Sequence, residues 1–453
     1  MHSRMNAHTG KVKKMLTKAR TIILMLCSIL ILIPLTFGRI AGFPYLFVFI
    51  PTILMAIGSC LTIIIILVRI DGKPDMCKMR KLPVILMVLT GLGILAAFMH
   101  HNTGGAYPIM ALDMILLFPL LYAIETDRRD YCSIIQSFSL PMIMATIIIF
   151  ALCLYKATIG ESIFDGNRYF GPITNPNTLS TIGTYGVMCS LYMAHISRRT
   201  LFRMISLGFS AGCGMAVTIL GASRTSALAL AGCILVEIIY LIKSNRFLCP
   251  PADKYSKTSA LKHLRRRDAV IVFVLTASLM LIPVRYVYTT PGIQRAASVD
   301  SEASDGRVVG ILERFSRDGE SLDTFSSGRL DIWRIYFENL SIRGGDPAVI
   351  ESEVLKTHHD PNAHNTYLTI AYVCGIPTGI VYFLWVLCIG IYGIAFVFGR
   401  RYTLPEHSFA AMIIYSFAMQ SMLDIAVFPF FSLPICFFSF CIAPVFEKEL
   451  KHG

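Results

Sequence analysis

The residues best suited to chemistry form a short cluster, Asp360-Pro361-Asn362-Ala363-His364-Asn365. Asp360 is typical of a helix N-cap and Pro361 of the first helical position, which predicts a helix with His364 in its first turn. The positive end of the helix dipole disfavours an imidazolium, so we expect a neutral ring. A neutral imidazole can act as a general base on a hydroxyl, and the alternative is a capping or interfacial histidine.

Three arginines form a second group, and each stands beside a predicted turn or helix start. They are Arg168 before Tyr169-Phe170-Gly171-Pro172, Arg224 in Ser223-Arg224-Thr225-Ser226, and Arg329 after Ser327-Gly328. A guanidinium binds phosphate through two parallel hydrogen bonds, and free backbone N–H groups at a helix start add further donors. The group is interpreted as a diphosphate clamp, with a snorkelling or ion-paired arginine as the alternative for each member.

Membrane helices must position these residues. Of the 453 residues, 55% are hydrophobic and 15% are charged, where an ordinary soluble domain has roughly 25% charged residues. Because backbone inside a bilayer must satisfy its own hydrogen bonds, the apolar stretches predict an all-α polytopic membrane protein with about 12 transmembrane helices. The stretches are 21–37, 45–68, 82–99, 109–124, 132–155, 176–195, 204–222, 227–242, 269–284, 375–398, 408–424 and 425–446.

The basic residues predict the orientation of these helices. If the N-terminus is cytoplasmic, 28 of the 41 Lys and Arg residues fall in inside segments, as the positive-inside rule requires. The net charge of +13 then faces anionic headgroups, and nucleic acid is not an expected partner. We expect a multi-pass protein of the cytoplasmic membrane with both termini in the cytoplasm.

One long outer loop divides the chain into three parts. The parts are residues 1–284 with nine spans, residues 285–363 as the outer loop, and residues 364–453 with three spans and a cytoplasmic tail. The loop contains short amphipathic helical patterns, of which the second has an apolar stripe of Leu330, Trp333, Phe337 and Leu340. We expect this stripe to lie on the membrane surface or on the helix bundle.

Three charged residues, Asp113, Glu237 and Asp424, fall inside predicted spans. Such residues are costly in a bilayer, and the default interpretation is a functional one. Glu237 and Asp424 lie near span ends and are interpreted as structural. Asp113 is the better candidate for lining a groove or serving in a relay.

Four motifs, in this order and all on the predicted outer face, resemble the O-antigen ligase and O-antigen polymerase family. They are Asn167-Arg168 with Gly171 and Asn175-Pro176-Asn177, then Gly221-Ala222-Ser223-Arg224-Thr225, Gly328-Arg329-Leu330-Asp331-Ile332-Trp333, and His364-Asn365-Thr366-Tyr367-Leu368 with Gly375. The resemblance covers about residues 160 to 440. This chain departs from the family in the acidic stretch that follows Arg343-Gly344-Gly345-Asp346.

The resemblance implies a membrane glycosyltransferase of the C type, which takes glycans from undecaprenyl diphosphate at the outer face of the cytoplasmic membrane. It implies that Arg168, Arg224 and Arg329 contact the diphosphate and that His364 activates the acceptor hydroxyl. The further substrate-binding candidates are Asn177, Asn365, Tyr367 and Trp333. Family members are similar in working without a metal, and no cofactor is expected.

Three functions stay open at this point. The favoured one is a polymerase that transfers lipid-linked glycan onto another lipid-linked repeat unit of a surface polysaccharide. The alternatives are a ligase that transfers the finished glycan to a different acceptor, and a transporter or flippase without covalent chemistry. The long outer loop argues against a transporter. The expected partners are undecaprenyl-diphosphate-linked oligosaccharide and membrane lipid, with a flippase and a chain-length regulator as candidate protein partners.

Overall fold

The computed structural model is a bundle of α-helices. The structure describes residues 80–101, 106–124, 128–159, 164–165, 168–169, 171–173, 175–197, 202–203, 205–244, 266–289, 329–358, 362–399, 404–423 and 433–442, together with Cys60 and most of 22–36. The described residues within 22–36 are helical, in agreement with the first predicted span.

Seven helices with described bounds begin between residue 81 and the start of the predicted outer loop. They are α1 (Lys81–His101), α2 (Ala106–Leu112, the π-helical turn Asp113–Leu117 and Phe118–Ile124), α3 (Arg128–Thr158), α4 (Pro176–Ile196), α5 (the π-helical turn Ile205–Ser210 and Ala211–Leu220), α6 (Arg224–Ser244) and α7 (Arg266–Thr289). Between α3 and α4, strands β1 (Phe164–Asp165) and β2 (Arg168–Tyr169) form an antiparallel ribbon that pairs Phe164 with Tyr169 and Asp165 with Arg168. Each of the seven helices overlaps a predicted apolar stretch.

Six helices follow. They are α8 (Arg329–Glu338), α9 (Pro347–Val354), α10 (Thr366–Cys374), α11 (Ile376–Phe398), α12 (Pro405–Leu423) and α13 (Leu433–Cys441). The last three overlap predicted spans. The segment predicted as the outer loop, residues 285–363, contains the short helices α8 and α9, and its place outside the membrane stays a prediction. Glu351 and Ser352 lie in α9 and are exposed, so the acidic stretch is helical and in contact with solvent.

Four of the described helices are long and apolar enough to cross a membrane. They are Lys81–His100, Tyr131–Thr158, Arg224–Lys243 and Ile376–Phe398. Helix α11 shows why a bilayer is needed, since it exposes Ile380, Leu387 and Ile394 at seven-residue spacing while it buries Trp385 and Ile389. The chain is therefore an all-α membrane protein, and the number of twelve spans stays a prediction. Apart from Cys60, the predicted span 45–68 lies outside the described residues.

Helix α4 forms the centre of the bundle and is buried along most of its length. The backbones of α4 and α5 lie very close together at Gly183 and Gly214. A Cβ on Gly183 would stand only 2.5 Å from the Gly214 carbonyl oxygen. Small residues are what allow membrane helices to pack this closely. The Ser180 hydroxyl of α4 donates to the Thr218 carbonyl of α5 at 3.0 Å. Protein surrounds α4, and the hydroxyls of Ser180, Thr184 and Ser190 make hydrogen bonds within the bundle.

The segment between α8 and α9 docks on the junction of α10 and α11 through backbone atoms. Gly345 N–H donates to the Tyr372 carbonyl at 2.8 Å, and Ile376 N–H donates to the Ser341 carbonyl at 3.0 Å. Gly375 has φ +90°, and a Cβ there would stand 2.3 Å from the Ile342 carbonyl oxygen. Only glycine permits both the left-handed backbone and this approach. The turn after α8 is thus fixed to the start of α11.

The predicted apolar stripe of α8 packs on the helix bundle through two of its members, Trp333 and Leu340. Leu330 and Phe337 are 42% and 60% exposed, while Ile332 and Tyr336 are buried. Relative to the predicted stripe, α8 is rotated so that the Tyr336 ring packs edge-on against Tyr372, with the centroids 5.5 Å apart. The packed face of α8 therefore includes Ile332 and Tyr336, which the predicted stripe did not contain.

Candidate functional site

The start of α6 and the start of α8 meet at one carbonyl group. The Arg329 guanidinium donates to the carbonyl oxygen of Leu423, and the Thr225 hydroxyl lies 3.4 Å from the same oxygen. Leu423 ends α12, where helix carbonyls lack intrahelical partners and a cation is favoured. The contact brings α8 beside the turn that contains Arg224.

That turn lies against the start of α4. Ala222 has a left-handed backbone with φ +47°, and Ser223 N–H lies 3.3 Å from the Ser180 hydroxyl. A Cβ on Gly221 would stand 2.5 Å from the Pro176 carbonyl oxygen, so a larger residue would separate the two elements. The sequence motifs around Pro176 and Arg224 are therefore neighbours in space.

Asn175 begins α4 as its N-cap. Its side-chain oxygen accepts from Asn177 N–H at 2.8 Å and from Thr178 N–H at 3.2 Å, with Pro176 at the first helical position. Asn177 is half-buried in the first turn. The predicted substrate-binding residue Asn177 thus lies on the α4 start that the Arg224 turn contacts.

The structure corrects the predicted setting of His364. Helix α10 begins at Thr366, with Asn365 as its N-cap accepting from Leu368 N–H at 3.0 Å. His364 precedes the cap and has φ +47°, a left-handed conformation that does not continue a right-handed helix. The prediction of His364 in the first helical turn is therefore wrong. Asp360 and Pro361, the predicted start, lie outside the described residues.

Trp333 joins α8 to the histidine. Its indole N–H donates to the Ala363 carbonyl at 2.6 Å, and Ala363 is 1% exposed. Trp333 lies one helical turn after Arg329 on α8, so one short helix contacts both the end of α12 and the residue before His364. The structure thus links two predicted catalytic residues, Arg329 and His364, through α8. Thr225, which follows Arg224 in the chain, contacts the same Leu423 carbonyl as Arg329.

Two further predicted residues have surroundings of a different kind. The Tyr367 ring packs against Tyr382 and Phe383 of α11, with centroids 5.6 and 5.5 Å away. Burial raises the pKa of Tyr367 to about 12, so its hydroxyl stays protonated near neutral pH. Arg168 lies in β2, where the hydroxyl of its neighbour Tyr169 donates to the Cys153 carbonyl of α3 at 3.2 Å. The contacts described for β2 thus run to α3, and the role of Arg168 stays a prediction.

Sequence reasoning missed the groups that tie these elements together. The carbonyls of Leu423 and Ala363 belong to apolar residues whose side chains give no signal of a polar role. Gly375 was noted as part of a motif, and the structure supplies its reason. A contact between distant backbone groups has no local pattern in the sequence.

A second polar cluster lies at the other end of the same helices. Glu237 on α6 pairs with His195 on α4, and their side chains are 6% and 7% exposed. The Ser408 hydroxyl of α12 donates to the other Glu237 oxygen at 2.7 Å. Asp113 is also buried, in the π-helical turn of α2, and Asp424 lies outside the described residues.

The described helices define an all-α membrane protein. The contacts of Arg329, Thr225 and Trp333 bring its arginine and histidine motifs to one end of the bundle. No family model matches the sequence, and no curated protein matches it significantly.

Proposed function

We propose that the protein is a membrane glycosyltransferase of the C type that resembles O-antigen polymerases and ligases. In this proposal it transfers glycan from undecaprenyl diphosphate onto another lipid-linked repeat unit and so polymerises a surface polysaccharide. The reaction takes place at the outer face of the cytoplasmic membrane. The chain then spans the membrane about twelve times, with both termini in the cytoplasm.

One observation carries the proposal. Arg329 and the Arg224 turn meet at the Leu423 carbonyl, while the helix that starts at Arg329 also holds the residue before His364. The cation Arg329 and the candidate base are thus coupled through one helix of ten residues. This is the combination that transfer from a diphosphate carrier requires.

The chemistry assigns the charged groups to the leaving group. The acceptor hydroxyl attacks the anomeric carbon of the donor sugar while His364 takes the hydroxyl proton. The bond between that carbon and the diphosphate oxygen breaks, and its electron pair leaves with undecaprenyl diphosphate. Arg329 and Arg224 neutralise the charge that develops on the leaving diphosphate. A guanidinium has five N–H donors in a fixed fork, so Arg329 can donate to more than one acceptor.

The direct test uses purified protein with carrier-linked oligosaccharide and without nucleotide. Wild-type protein should give longer lipid-linked glycan and free undecaprenyl diphosphate. His364→Ala should lower the rate by roughly 10² to 10⁴, which is the usual contribution of a general base. The matched control is His358→Ala, which replaces a half-buried histidine just after α9 and should leave the rate unchanged.

The same assay decides between the alternatives. Glycan transferred only to an acceptor other than lipid-linked repeat units would make the protein a ligase. Movement of lipid-linked glycan across a vesicle membrane without release of the carrier would make it a transporter. Wild-type rate and polymer length in His364→Ala would contradict the role of the histidine.

A further inference from the structure

We infer that Trp333 is a positioning residue, which holds the backbone of His364 in its left-handed conformation and couples the base to the helix of Arg329. The inference rests on the proposed function, because it assigns a role within that site. It replaces the substrate-binding role that was predicted for Trp333.

The first step of the argument concerns the peptide between Ala363 and His364. The φ angle of His364 describes rotation about the bond that attaches this peptide to the His364 Cα atom. The indole N–H of Trp333 donates to the carbonyl oxygen of this peptide at 2.6 Å. This hydrogen bond fixes the orientation of the peptide plane. His364 has φ +47°, which an L-residue adopts at an energetic cost and keeps only where its surroundings impose it.

The second step concerns the other side of the histidine. Asn365 caps α10 with its side chain, and its carbonyl accepts from the Thr369 hydroxyl at 3.0 Å. The residue after His364 is therefore fixed to α10, and the residue before it is fixed to α8. Loss of the Trp333 bond would leave the buried Ala363 carbonyl without this donor and free the peptide to rotate. The imidazole would then move away from the acceptor hydroxyl.

The third step concerns the coupling to the donor site. Arg329 and Trp333 are four residues apart and thus lie on the same side of α8. Both donate to backbone carbonyls of other helices or turns, Arg329 to Leu423 and Trp333 to Ala363. A shift of α8 moves the guanidinium and the histidine peptide together. The arrangement fixes the spacing between the group that holds the diphosphate and the base.

The chain offers a matched pair of variants, because it contains two tryptophans. Trp385 is 4% exposed, and its indole N–H has no hydrogen-bond partner among the described residues. Trp333→Phe and Trp385→Phe each remove an indole N–H and keep an aromatic ring. Only the first removes a hydrogen bond at the site.

Trp333→Phe should lower kcat about 10- to 100-fold, as expected for a displaced catalytic group, with KM for the carrier-linked donor within about twofold of wild type. Trp385→Phe should retain the wild-type kcat. In the His364→Ala background, Trp333→Phe should cause no further loss, because the group that it positions is gone. If Trp333→Phe is unstable in detergent, 3-benzothienylalanine at position 333 removes the N–H and keeps the indole shape.

Four outcomes have distinct meanings. Equal kcat in both tryptophan variants and wild type overturns the inference alone. An equal loss from Trp333→Phe in the presence and absence of His364 also overturns it, since Trp333 would then act independently of the base. A raised KM with unchanged kcat would restore the substrate-binding role. Folded wild-type protein that transfers no glycan overturns the proposed function and with it the inference.

Discussion

The two ends of α4, α6 and α12 use polar side chains in different ways. At the glutamate end, defined by His195, Glu237 and Ser408, buried side chains pair with one another. At the arginine end, defined by Arg224, Arg329, Trp333, His364 and Leu423, the described bonds of Arg329 and Trp333 go to backbone carbonyls. The ends are about 18 Å apart along α6, counted from Thr225 to Glu237 at 1.5 Å per residue.

The difference separates stability from reactivity. The carboxylate of Glu237 has partners on two neighbouring helices, so its charge is satisfied within the bundle and holds α4, α6 and α12 together. The arginine end instead fixes strained backbone, with Ala222 and His364 both at φ +47°. Strained backbone is kept where the surrounding structure imposes it, and such positions cluster at functional sites. This supports the proposal that the chemistry takes place at the arginine end, while the glutamate end serves helix packing.

Removal of the carboxylate at the glutamate end should produce the largest effect on stability. Glu237→Ala leaves His195 and Ser408 buried without their partner, which should cost about 3–5 kcal/mol of unfolding free energy. Glu237→Gln should cost less, because the amide can still accept and donate hydrogen bonds. Denaturant unfolding of purified protein in detergent measures both losses.

The control for Glu237 is an exposed ion pair at the end of α9. Glu353 pairs with Lys356, and both side chains are about half exposed or more. Glu353→Ala should therefore change the unfolding free energy by less than about 1 kcal/mol. Folded Glu237→Ala protein should retain its glycan-transfer rate per molecule. A rate loss in that folded protein would show that the glutamate end takes part in function and would break the comparison.

At the arginine end the main effect should be on rate. Arg329→Ala removes a cation from the proposed diphosphate site and should lower kcat by about 10² to 10³. Arg329→Lys should recover part of the rate, because an ammonium restores the charge and lacks the planar fork. Steady-state kinetics with the carrier-linked donor measure both variants. Arg224→Ala should act in the same direction.

Arg334 provides the matched control on the same helix. Its guanidinium pairs with Glu338 on the exposed face, where the Arg334 side chain is 77% exposed. Arg334→Ala should leave kcat unchanged. Equal losses from Arg329→Ala and Arg334→Ala would mean that α8 responds to any lost arginine, and the diphosphate role of Arg329 would be withdrawn.

The sequence predicted the helices well because their signal is local. An apolar stretch such as 375–398 must form a helix in a bilayer, and the structure places α11 at Ile376–Phe398. The Asn175-Pro176 pair likewise contains its own start signal, an N-cap followed by proline, and α4 begins at Pro176. Such elements depend on residues within one or two turns of each other.

The site could be predicted only in part because its geometry is not local. The motifs named the residues, but the meeting of Arg329 with Leu423 joins positions 94 residues apart. The Asp360-Pro361 pair gave a conventional start signal, yet the described helix starts at Thr366 because the Asn365 side chain caps it. The conformation of His364 depends on Trp333, which stands 30 residues before Ala363. The Arg329 contact and the His364 conformation are therefore set by tertiary contacts, which local sequence patterns do not encode.

The smallest expected effect on kcat comes from the helix cap beside the candidate base His364, and a helix cap elsewhere provides the comparison. Asn365 and Asn175 are both N-caps whose side chains accept backbone N–H groups, so alanine at either position should cost about 1 kcal/mol of unfolding free energy. Only Asn365 adjoins His364, and its loss releases one of the two sides that fix the histidine backbone. Asn365→Ala should therefore lower kcat several-fold, by less than Trp333→Phe, while Asn175→Ala leaves kcat near wild type. Parallel unfolding and kinetic measurements on the two variants check this, since similar stability losses rule out a general effect of misfolding. If Asn175→Ala reduced kcat as much as Asn365→Ala, the start of α4 would belong to the reacting centre. Asn177 and Arg168, which are predicted to contact the substrate, would then be the next residues to test.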